Sequence, residues 1–246
     1  MKGVILAGGN GTRLLPLTKA TNKHLLPVGN KPMLQRCVEK MVEAGLKDIM
    51  VVTGGEHLGS IAEFLGSGKE FGCRVTYRVQ EEAGGIAQAL AMAEGFIAYK
   101  ESVCVLLGDN IFENSLKPMV EKYSAHNSGA MVVLKQVPDP ERFGVATIGP
   151  TTGANDPPMI VKIVEKPAIP ESEFAVTGIY FYDGKVFDVI RMCKPSKRGE
   201  MEITDVNNVY VNAGQMKFVI MDGWWTDAGT HESYQFANRL VFTDDL

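Results

Sequence analysis

The sequence has few cysteines, and no two of them stand close together. There are four, at Cys37, Cys73, Cys104 and Cys193. They form no C-x-x-C pair and have no histidine at zinc-site spacing, which argues against a zinc site and against a disulfide framework. The pattern is typical of reduced core thiols in a cytoplasmic protein. The four histidines also fall in no metal or triad pattern, so none is assigned a catalytic role.

The sequence also lacks long hydrophobic runs and an excess of positive charge. No apolar stretch approaches the roughly 20 residues that span a membrane, and Lys2 before a short apolar run is too little for a signal peptide. The formal net charge of −4 argues against broad binding of nucleic acid or of an anionic membrane. With 246 residues, 45% apolar and 22% charged, the chain can bury a substantial globular core.

A glycine-rich turn follows the first apolar run. Val4–Ala7 is typical of a buried strand of a parallel sheet. Gly8, Gly9 and Gly11 then let a phosphate approach main-chain N–H groups. Two familiar phosphate loops are excluded, since Leu14 stands where the dinucleotide fingerprint needs its third glycine and no Gly-Lys-Ser/Thr triplet follows. Another kind of phosphate loop, or a plain turn between strand and helix, remains.

The charges near this turn favour an anionic ligand. The chain is acidic overall, yet every charged residue before Glu39 is basic. These residues are Lys2, Arg13, Lys19, Lys23, Lys31 and Arg36. A solvated basic surface is the alternative that this pattern leaves open.

Apolar runs and helical spacing alternate through the first half of the chain. Strands are predicted at Ile49–Val52, Val75–Val79 and Val103–Leu107, and helices at Lys31–Ala44, Ser60–Leu65 and Ile86–Ala93. This βαβ order predicts a mostly parallel sheet with helices on both faces. Ligands of such sheets lie at the carboxyl ends of the strands, so the loops with Gly8, Gln80 and Asp109 are expected to line one cleft.

The pattern changes to shorter β-like runs from Gly129 onward. Strands are predicted at Met131–Val137, Val145–Ile148, Ile160–Val164, Ala175–Phe181 and Lys217–Met221, and helices at Lys185–Met192, Ile203–Val211 and Ser233–Phe242. We expect one α/β domain, 1–246, with halves 1–128 and 129–246 that contribute strands to the same sheet.

Three N-terminal segments resemble the signature of the sugar-phosphate nucleotidyltransferases. They are Gly8-Gly9-Asn10-Gly11-Thr12-Arg13-Leu14-Leu15-Pro16-Leu17-Thr18, then Lys23-His24-Leu25-Leu26-Pro27-Val28, then Lys31-Pro32-Met33. Within that family the pattern is most similar to the thymidylyltransferases that act on glucose 1-phosphate. The resemblance implies a Rossmann-like nucleotidyltransferase fold and Mg²⁺-dependent transfer of the thymidylyl group of dTTP to α-D-glucose 1-phosphate. The products would be dTDP-glucose and pyrophosphate, in nucleotide-sugar biosynthesis such as a dTDP-rhamnose pathway.

The resemblance implies a nucleotide site in the first half. It assigns nucleotide binding to Gly8, Gly9, Gly11, Thr12, Arg13, Gln80, Gly85 and Asp109. The amide of Gln80 offers a donor and an acceptor, which suits the edge of thymine or uracil, and Gly85 would let the base lie against the backbone. Taken alone, Gln80 is more typical of a surface turn residue.

Three later segments resemble the family's sugar-phosphate site. They are Arg142-Phe143-Gly144-Val145, Glu165-Lys166-Pro167 and Val176-Thr177-Gly178-Ile179-Tyr180. The resemblance assigns the sugar phosphate to Lys23, Asn110, Gly144, Glu165, Lys166 and Val176. A carboxylate can accept sugar hydroxyls while a neighbouring ammonium meets the phosphate. A solvated ion pair in a proline-bounded turn is the alternative.

Two aspartates are the expected magnesium ligands. Asp109 ends a buried strand, where a carboxylate is costly unless a cation or a donor compensates it. Asp227 stands in Trp225-Thr226-Asp227-Ala228-Gly229-Thr230, which resembles the family's W-x-D-x-G-T segment around its second metal ligand. Ala228 departs from the threonine usual there. Without the resemblance, both aspartates also fit turn caps.

The implied chemistry needs no general base, because the attacking phosphate oxygen is already ionised at neutral pH. Arg13 and Lys23 are therefore the expected catalytic residues, which align and neutralise phosphates. UTP or another hexose 1-phosphate as substrate, and a catalytically silent nucleotide or sugar-phosphate sensor, remain as alternatives. A dinucleotide-dependent oxidoreductase is a weaker alternative, because the sequence lacks the third glycine of the dinucleotide-binding fingerprint.

The family also implies a homo-oligomer. Long thymidylyltransferases carry further C-terminal helices that form a subunit interface and a regulatory nucleotide site. Because the sequence ends at Leu246, tetramer formation and feedback inhibition are not expected to carry over.

Overall fold

The computed structural model describes residues 1–149 and 158–244. Its main feature is a nine-stranded sheet. The strands of the chain are β1 (Lys2–Ala7), β2 (Pro27–Val28), β3 (Lys31–Pro32), β4 (Asp48–Gly54), β5 (Arg74–Gln80), β6 (Ser102–Leu107), β7 (Asn110–Phe112), β8 (Ala130–Gln136), β9 (Gly144–Gly149), β10 (Met159–Glu165), β11 (Phe174–Asp183), β12 (Met216–Ile220) and β13 (Trp225–Asp227). The α-helices are α1 (Met33–Glu43), α2 (Leu58–Leu65), α3 (Ile86–Ala91), α4 (Lys117–Ser124), α5 (Val186–Met192), α6 (Ile203–Asn212) and α7 (His231–Asp244).

Strands from both halves of the chain form the large sheet. Its order is β10-β9-β11-β6-β1-β4-β5, and β8 pairs with β11 and β12. β1, β4, β5 and β6 pair in parallel, as do β8 and β12, whereas β11 runs antiparallel to β6, β8 and β9. Only β10 and β11 oppose the remaining strands of this sheet, so the predicted mostly parallel sheet is confirmed.

The strands are apolar on both faces because helices cover both sides. Successive residues of a strand point to opposite faces, and β1 shows this directly. Val4 and Leu6 lie in the cluster that α3, α5 and α6 cover, whereas Ile5 and Ala7 lie in the cluster covered by α1, α2 and α4. This two-sided burial explains why β1 reads as a continuous apolar run.

Besides shifts of about two residues at the ends of some helices, the main differences from the expected elements are these. Helix α1 begins at Met33 rather than Lys31, because Lys31–Pro32 pairs with Pro27–Val28 and Pro32 caps the helix. Helix α4 was not predicted. Two three-residue strands, β7 and β13, pair with each other away from the large sheet and were also missed.

Within the described ranges, no helix is long and apolar enough to cross a membrane. All four cysteines are free thiols; three are buried, and Cys193 is half-buried, so it is not the fully buried core residue that was expected.

We predict that the junction of the two halves carries much of the stability. Phe181 on β11 is fully buried where this strand pairs with β6. Phe181→Ala should lower the free energy of unfolding by about 3–5 kcal/mol, because it leaves a core cavity. Urea titration measures this loss. The matched control is Phe242→Ala on α7, where the ring is 57% exposed and the change should stay within about 0.5 kcal/mol. Equal effects of the two substitutions would contradict the prediction.

Candidate functional site

A cleft lies at the carboxyl ends of the parallel strands. Its volume is about 330 Å³. The loops with Gly8, Gln80 and Asp109 all line it, so their predicted convergence is confirmed. The other predicted site residues that line it are Gly9, Arg13, Lys23, Gly85, Asn110, Gly144, Glu165, Lys166, Val176 and Asp227. The cleft therefore draws side chains from both halves of the chain.

Gly11 and Thr12 are the predicted site residues that do not line this cleft in the described part of the chain. Gly11 adopts a left-handed conformation, with φ of 61°, and precedes the short 3₁₀ turn Thr12–Leu14. Its carbonyl accepts a hydrogen bond from the hydroxyl of Thr18 at 2.8 Å. A Cβ there would lie 2.7 Å from Thr18 Cγ2. Glycine at 11 thus shapes the loop, and nucleotide binding by these two residues stays a prediction.

Lys23 and Asp109 form a buried ion pair inside the cleft. Lys23 Nζ lies 2.5 Å from Asp109 Oδ2, and each side chain is only 13% exposed. Burial alone would raise the pKa of Asp109. The positive charge of Lys23 and hydrogen bonds from Lys23 and Asn110 outweigh it and hold that pKa well below its usual range. Asp109 is therefore an anion at neutral pH.

Asp227 lies beside Asp109 because β13 pairs with β7. In this pairing Asp227 stands opposite Asn110, and the Ala228 N–H donates to the Asp109 carbonyl at 2.8 Å. Burial, followed by the negative charge of Asp109, raises the pKa of Asp227 to about 6. Arg142 Nη2 lies 3.3 Å from Asp227 Oδ1 and opposes this rise.

Three charged side chains converge on the backbone of Gly229. A Cβ built on Gly229 would lie 3.1 Å from Arg13 Nη2, 3.4 Å from Asp227 Oδ2 and 3.5 Å from Asp109 Oδ2. Any side chain at 229 would fill this space. The position thus keeps an opening between two carboxylates and a guanidinium.

Asn110 is buried and holds the cleft together. Its Oδ1 accepts hydrogen bonds from the Gly178 N–H and from the indole of Trp225, both at 2.8 Å. Its Nδ2 donates to Asp109 Oδ1 at 3.1 Å. Most of its hydrogen-bonding capacity is therefore used within the protein. Asn110 thus has a positioning role in addition to the predicted contact with the sugar phosphate.

Gln80 ends β5 with its amide at the cleft wall. The side-chain Nε2 donates to Gln88 Oε1 at 2.7 Å and lies 3.4 Å from the Gly85 carbonyl. Gly85 has φ of 99°, and a Cβ there would lie 2.5 Å from the Met201 carbonyl oxygen. Glycine at 85 is thus required by the approach of Met201, a reason that the sequence did not suggest. Contact of Gly85 with a base stays a prediction.

Glu165 carries the polar contacts of the second half. Its Oε2 accepts a hydrogen bond from the Thr204 hydroxyl at 2.6 Å. Its Oε1 lies 3.8 Å from Lys166 Nζ and 3.6 Å from Arg198 Nη2. A Cβ on Gly144 would lie 3.5 Å from Glu165 Oε2, so Gly144 borders this carboxylate closely. The pair Glu165–Lys166 is therefore part of the cleft and not only solvated surface.

Sequence reasoning did not single out several polar residues of the cleft. The main ones are His24, Arg142, Tyr180, Thr204 and Asn207. His24, Arg142 and Tyr180 were named only as parts of family segments, and Thr204 only as part of a helix. Burial, then the charge of Lys23, lowers the pKa of His24 to about 3, so its ring is neutral at pH 7. No spacing rule marks such residues, because the fold alone brings them to the cleft.

Comparison with known proteins agrees with this arrangement. The nucleotidyl transferase family profile matches residues 2–243. Glucose-1-phosphate thymidylyltransferase of Neisseria meningitidis serogroup A / serotype 4A is 43% identical over 246 residues, covering 99% of this chain and 83% of that protein. The protein of that name from Mycolicibacterium smegmatis is 38% identical over 249 residues, covering 100% of this chain and 84% of its own.

Solved structures show the same fold. A sucrose complex from Bacillus anthracis, proposed to be a glucose-1-phosphate thymidylyltransferase, superposes with a TM-score of 0.90 at 54% identity, covering 98% of this chain and 94% of its own. A UDP-glucose pyrophosphorylase bound to UDP-glucose has a TM-score of 0.86 at 27% identity and covers 99% and 98%. The resemblance seen in the sequence is confirmed, and the chain belongs to the nucleotidyl transferase family.

Proposed function

We propose that this protein transfers the thymidylyl group of dTTP to α-D-glucose 1-phosphate, forming dTDP-glucose and pyrophosphate. One observation carries the proposal. A single cleft joins an amide at the end of β5, a pair of aspartates, and a carboxylate–ammonium pair from the second half. In this scheme residues 1–128 bind the nucleotide and residues 129–246 the sugar phosphate, within one domain. The names of the relatives at 43% and 38% identity support this choice of substrates.

Asp109 and Asp227 would hold the Mg²⁺ of this reaction. Two carboxylates beside an opening suit a hard cation that fills its remaining positions with water and phosphate oxygens. No larger group of metal-ligating side chains occurs among the described residues. When bound, the ion would neutralise phosphate charge between the two substrates.

The side chains of the cleft align and neutralise phosphates. A sugar-phosphate oxygen attacks the α-phosphorus of dTTP, the bond to the leaving pyrophosphate oxygen breaks, and no proton has to move. Arg13 beside Gly229 would stabilise the leaving pyrophosphate. Lys23 pairs with Asp109 in the free protein, and its ammonium would hold the α-phosphate or the attacking phosphate.

The two binding sites follow from what borders each end of the cleft. Gly8 and Gly9 would lie along the nucleotide, and Gln80 would recognise the pyrimidine edge. At the other end, Glu165 would accept hydrogen bonds from hexose hydroxyls, and the Lys166 ammonium would donate to the phosphate. Gly144 and Val176 would shape the sugar pocket. Asn110 would add a sugar-phosphate contact through its remaining N–H.

UTP is the second candidate nucleotide. Uracil and thymine present the same hydrogen-bonding edge to a glutamine amide, and a UDP-glucose pyrophosphorylase shares the fold. A silent sensor is disfavoured because Arg13, Lys23 and both aspartates meet in one cleft. We also expect a homo-oligomer in the cytoplasm, on family grounds.

Arg13→Ala should reduce kcat/KM about 10²–10³-fold, as for a lost transition-state donor. Pyrophosphate release measures the loss, and the urea midpoint should stay near that of the wild type. The control is Arg74→Ala. Arg74 begins β5, at the end of the strand away from the cleft, and its side chain is 81% exposed and pairs with Asp48. Near-normal turnover of Arg13→Ala would refute its catalytic role.

Asp227→Asn should stabilise the metal-free protein above pH 6. The pKa of Asp227 is raised from 3.8 to about 6. The carboxyl group of residue 227 therefore loses its proton at a lower pH in the unfolded chain than in the folded protein. As a result, the free energy of unfolding falls as the pH rises from 4 to 6. Because asparagine carries no charge, the substitution should restore at most about 3 kcal/mol of the free energy of unfolding that is lost in this pH range. Unfolding in EDTA at pH 4.5 and pH 8 tests it; an unchanged difference between the two pH values would contradict it.

Magnesium binding gives a readout on these residues besides activity. Mg²⁺ should raise the unfolding temperature of the wild type, because it binds the folded state, and should have little effect on Asp227→Asn. Equal shifts in the two proteins would place the ion elsewhere.

The substrate is tested by pyrophosphate release with Mg²⁺, glucose 1-phosphate and each of dTTP, UTP, ATP, CTP and GTP. We expect the highest kcat/KM with dTTP, followed by UTP, and no release in EDTA. Silence of folded protein with every nucleotide would favour another sugar phosphate or the sensor.

A further inference from the structure

Gln88 lies on α3 behind the cleft and outside its lining. Its Oε1 accepts two hydrogen bonds, from the Gly84 main-chain N–H at 2.9 Å and from Gln80 Nε2 at 2.7 Å. The proposed function leaves this residue without a task. Its position suggests one, because it contacts the side chain expected to meet the base.

These contacts fix the orientation of two amides in sequence. A backbone N–H is always a donor, whereas a side-chain amide can present either its oxygen or its nitrogen. The Gly84 N–H therefore requires Gln88 to turn its oxygen toward it. That oxygen then requires the nitrogen of Gln80 to face it. The oxygen of Gln80 is left on the other side, where a Cβ built on Gly8 would lie 2.8 Å from it. Gly8 lines the cleft, so the acceptor of Gln80 borders the cleft.

Two glycines make this arrangement possible. A Cβ on Gly84 would lie 2.4 Å from the amide atoms of Gln88, so the amide packs directly on this backbone. A Cβ on Gly8 would collide with Gln80 Oε1 in the same way. Glycine at both positions therefore keeps the pair of amides in place.

We propose that Gln88 is a positioning residue that sets pyrimidine choice by holding the Gln80 amide with its oxygen toward the base. The proposal rests on the proposed function. Thymine and uracil carry a hydrogen on N3, which a fixed acceptor can meet. Cytosine has an unprotonated N3 and would face that oxygen with a lone pair. A site built this way rejects the base that lacks the donor.

The test compares dUTP with dCTP, which lack the methyl group of thymine and differ only at the edge in question. Gln88→Met keeps the volume and helix propensity but removes the acceptor. Only the longer contact with the Gly85 carbonyl, at 3.4 Å, then still holds Gln80 Nε2. The Gln80 amide can therefore turn more easily, and the ratio of kcat/KM for dCTP to that for dUTP should rise about tenfold, the effect of about one hydrogen bond.

Gln88→Glu is the matched control. A carboxylate keeps the acceptor for both donors, so this variant should retain the wild-type ratio even if its charge weakens all nucleotides alike. Gly84→Ala is an independent variant that displaces the Gln88 amide, and it should relax the ratio as Gln88→Met does. It also serves if Gln88→Met does not fold.

The outcomes separate this inference from the proposed function. A wild type that uses neither dTTP nor dUTP would refute the function itself. A wild type active with both, together with folded Gln88→Met or Gly84→Ala whose ratio is unchanged, would refute only the role of Gln88. A relaxed ratio in Gln88→Glu would refute it as well, since the acceptor is still there.

Discussion

The pairing of β7 with β13 is the contact on which the site depends. It places Asp227 beside Asp109, although 118 positions separate them in the sequence. Two carboxylates that are buried close together repel each other, which tends to raise their pKa values. Here the two aspartates respond differently. Asp109 is compensated by Lys23 and ionises readily, whereas the pKa of Asp227 rises to about 6. Under the proposed function, a cation bound between the two carboxylates would relieve this repulsion.

Sequence periodicity predicted most of the fold because both halves of the chain bury apolar runs of about strand length. The strands around Ile5, Val51 and Leu106 were found by that signal and lie together in one cluster. The pairing of β7 with β13 left no such signal, since three-residue strands show no periodicity. Its register is set by long-range contacts, such as the hydrogen bond from Trp225 to Asn110 at 2.8 Å. The residues of the site were therefore recognisable by resemblance, while the geometry that joins them was not.

Glycine shows a similar limit of sequence reasoning. Gly8, Gly11 and Gly85 were all interpreted as places where a ligand approaches the backbone. In the structure each of these glycines has a close neighbour within the protein: Gln80 at Gly8, Thr18 at Gly11 and Met201 at Gly85. A glycine pattern can thus mark loops in which parts of the chain approach each other closely. It does not by itself identify which atom approaches.

Two side-chain amides, Asn110 in the cleft and Gln88 behind it, follow one rule. Asn110 accepts from the Gly178 N–H and directs its nitrogen to Asp109; Gln88 accepts from the Gly84 N–H and, through Gln80, directs an oxygen to the cleft. In each case a main-chain donor, which cannot reverse, fixes a side chain that could. Burial makes an incorrect orientation costly, since it would leave a donor or an acceptor unpaired. Main-chain N–H groups therefore decide whether an amide oxygen or an amide nitrogen faces Asp109 and the cleft. The strands that lead to Asp109 and Gln80 bring these side chains close enough to the amides for these hydrogen bonds.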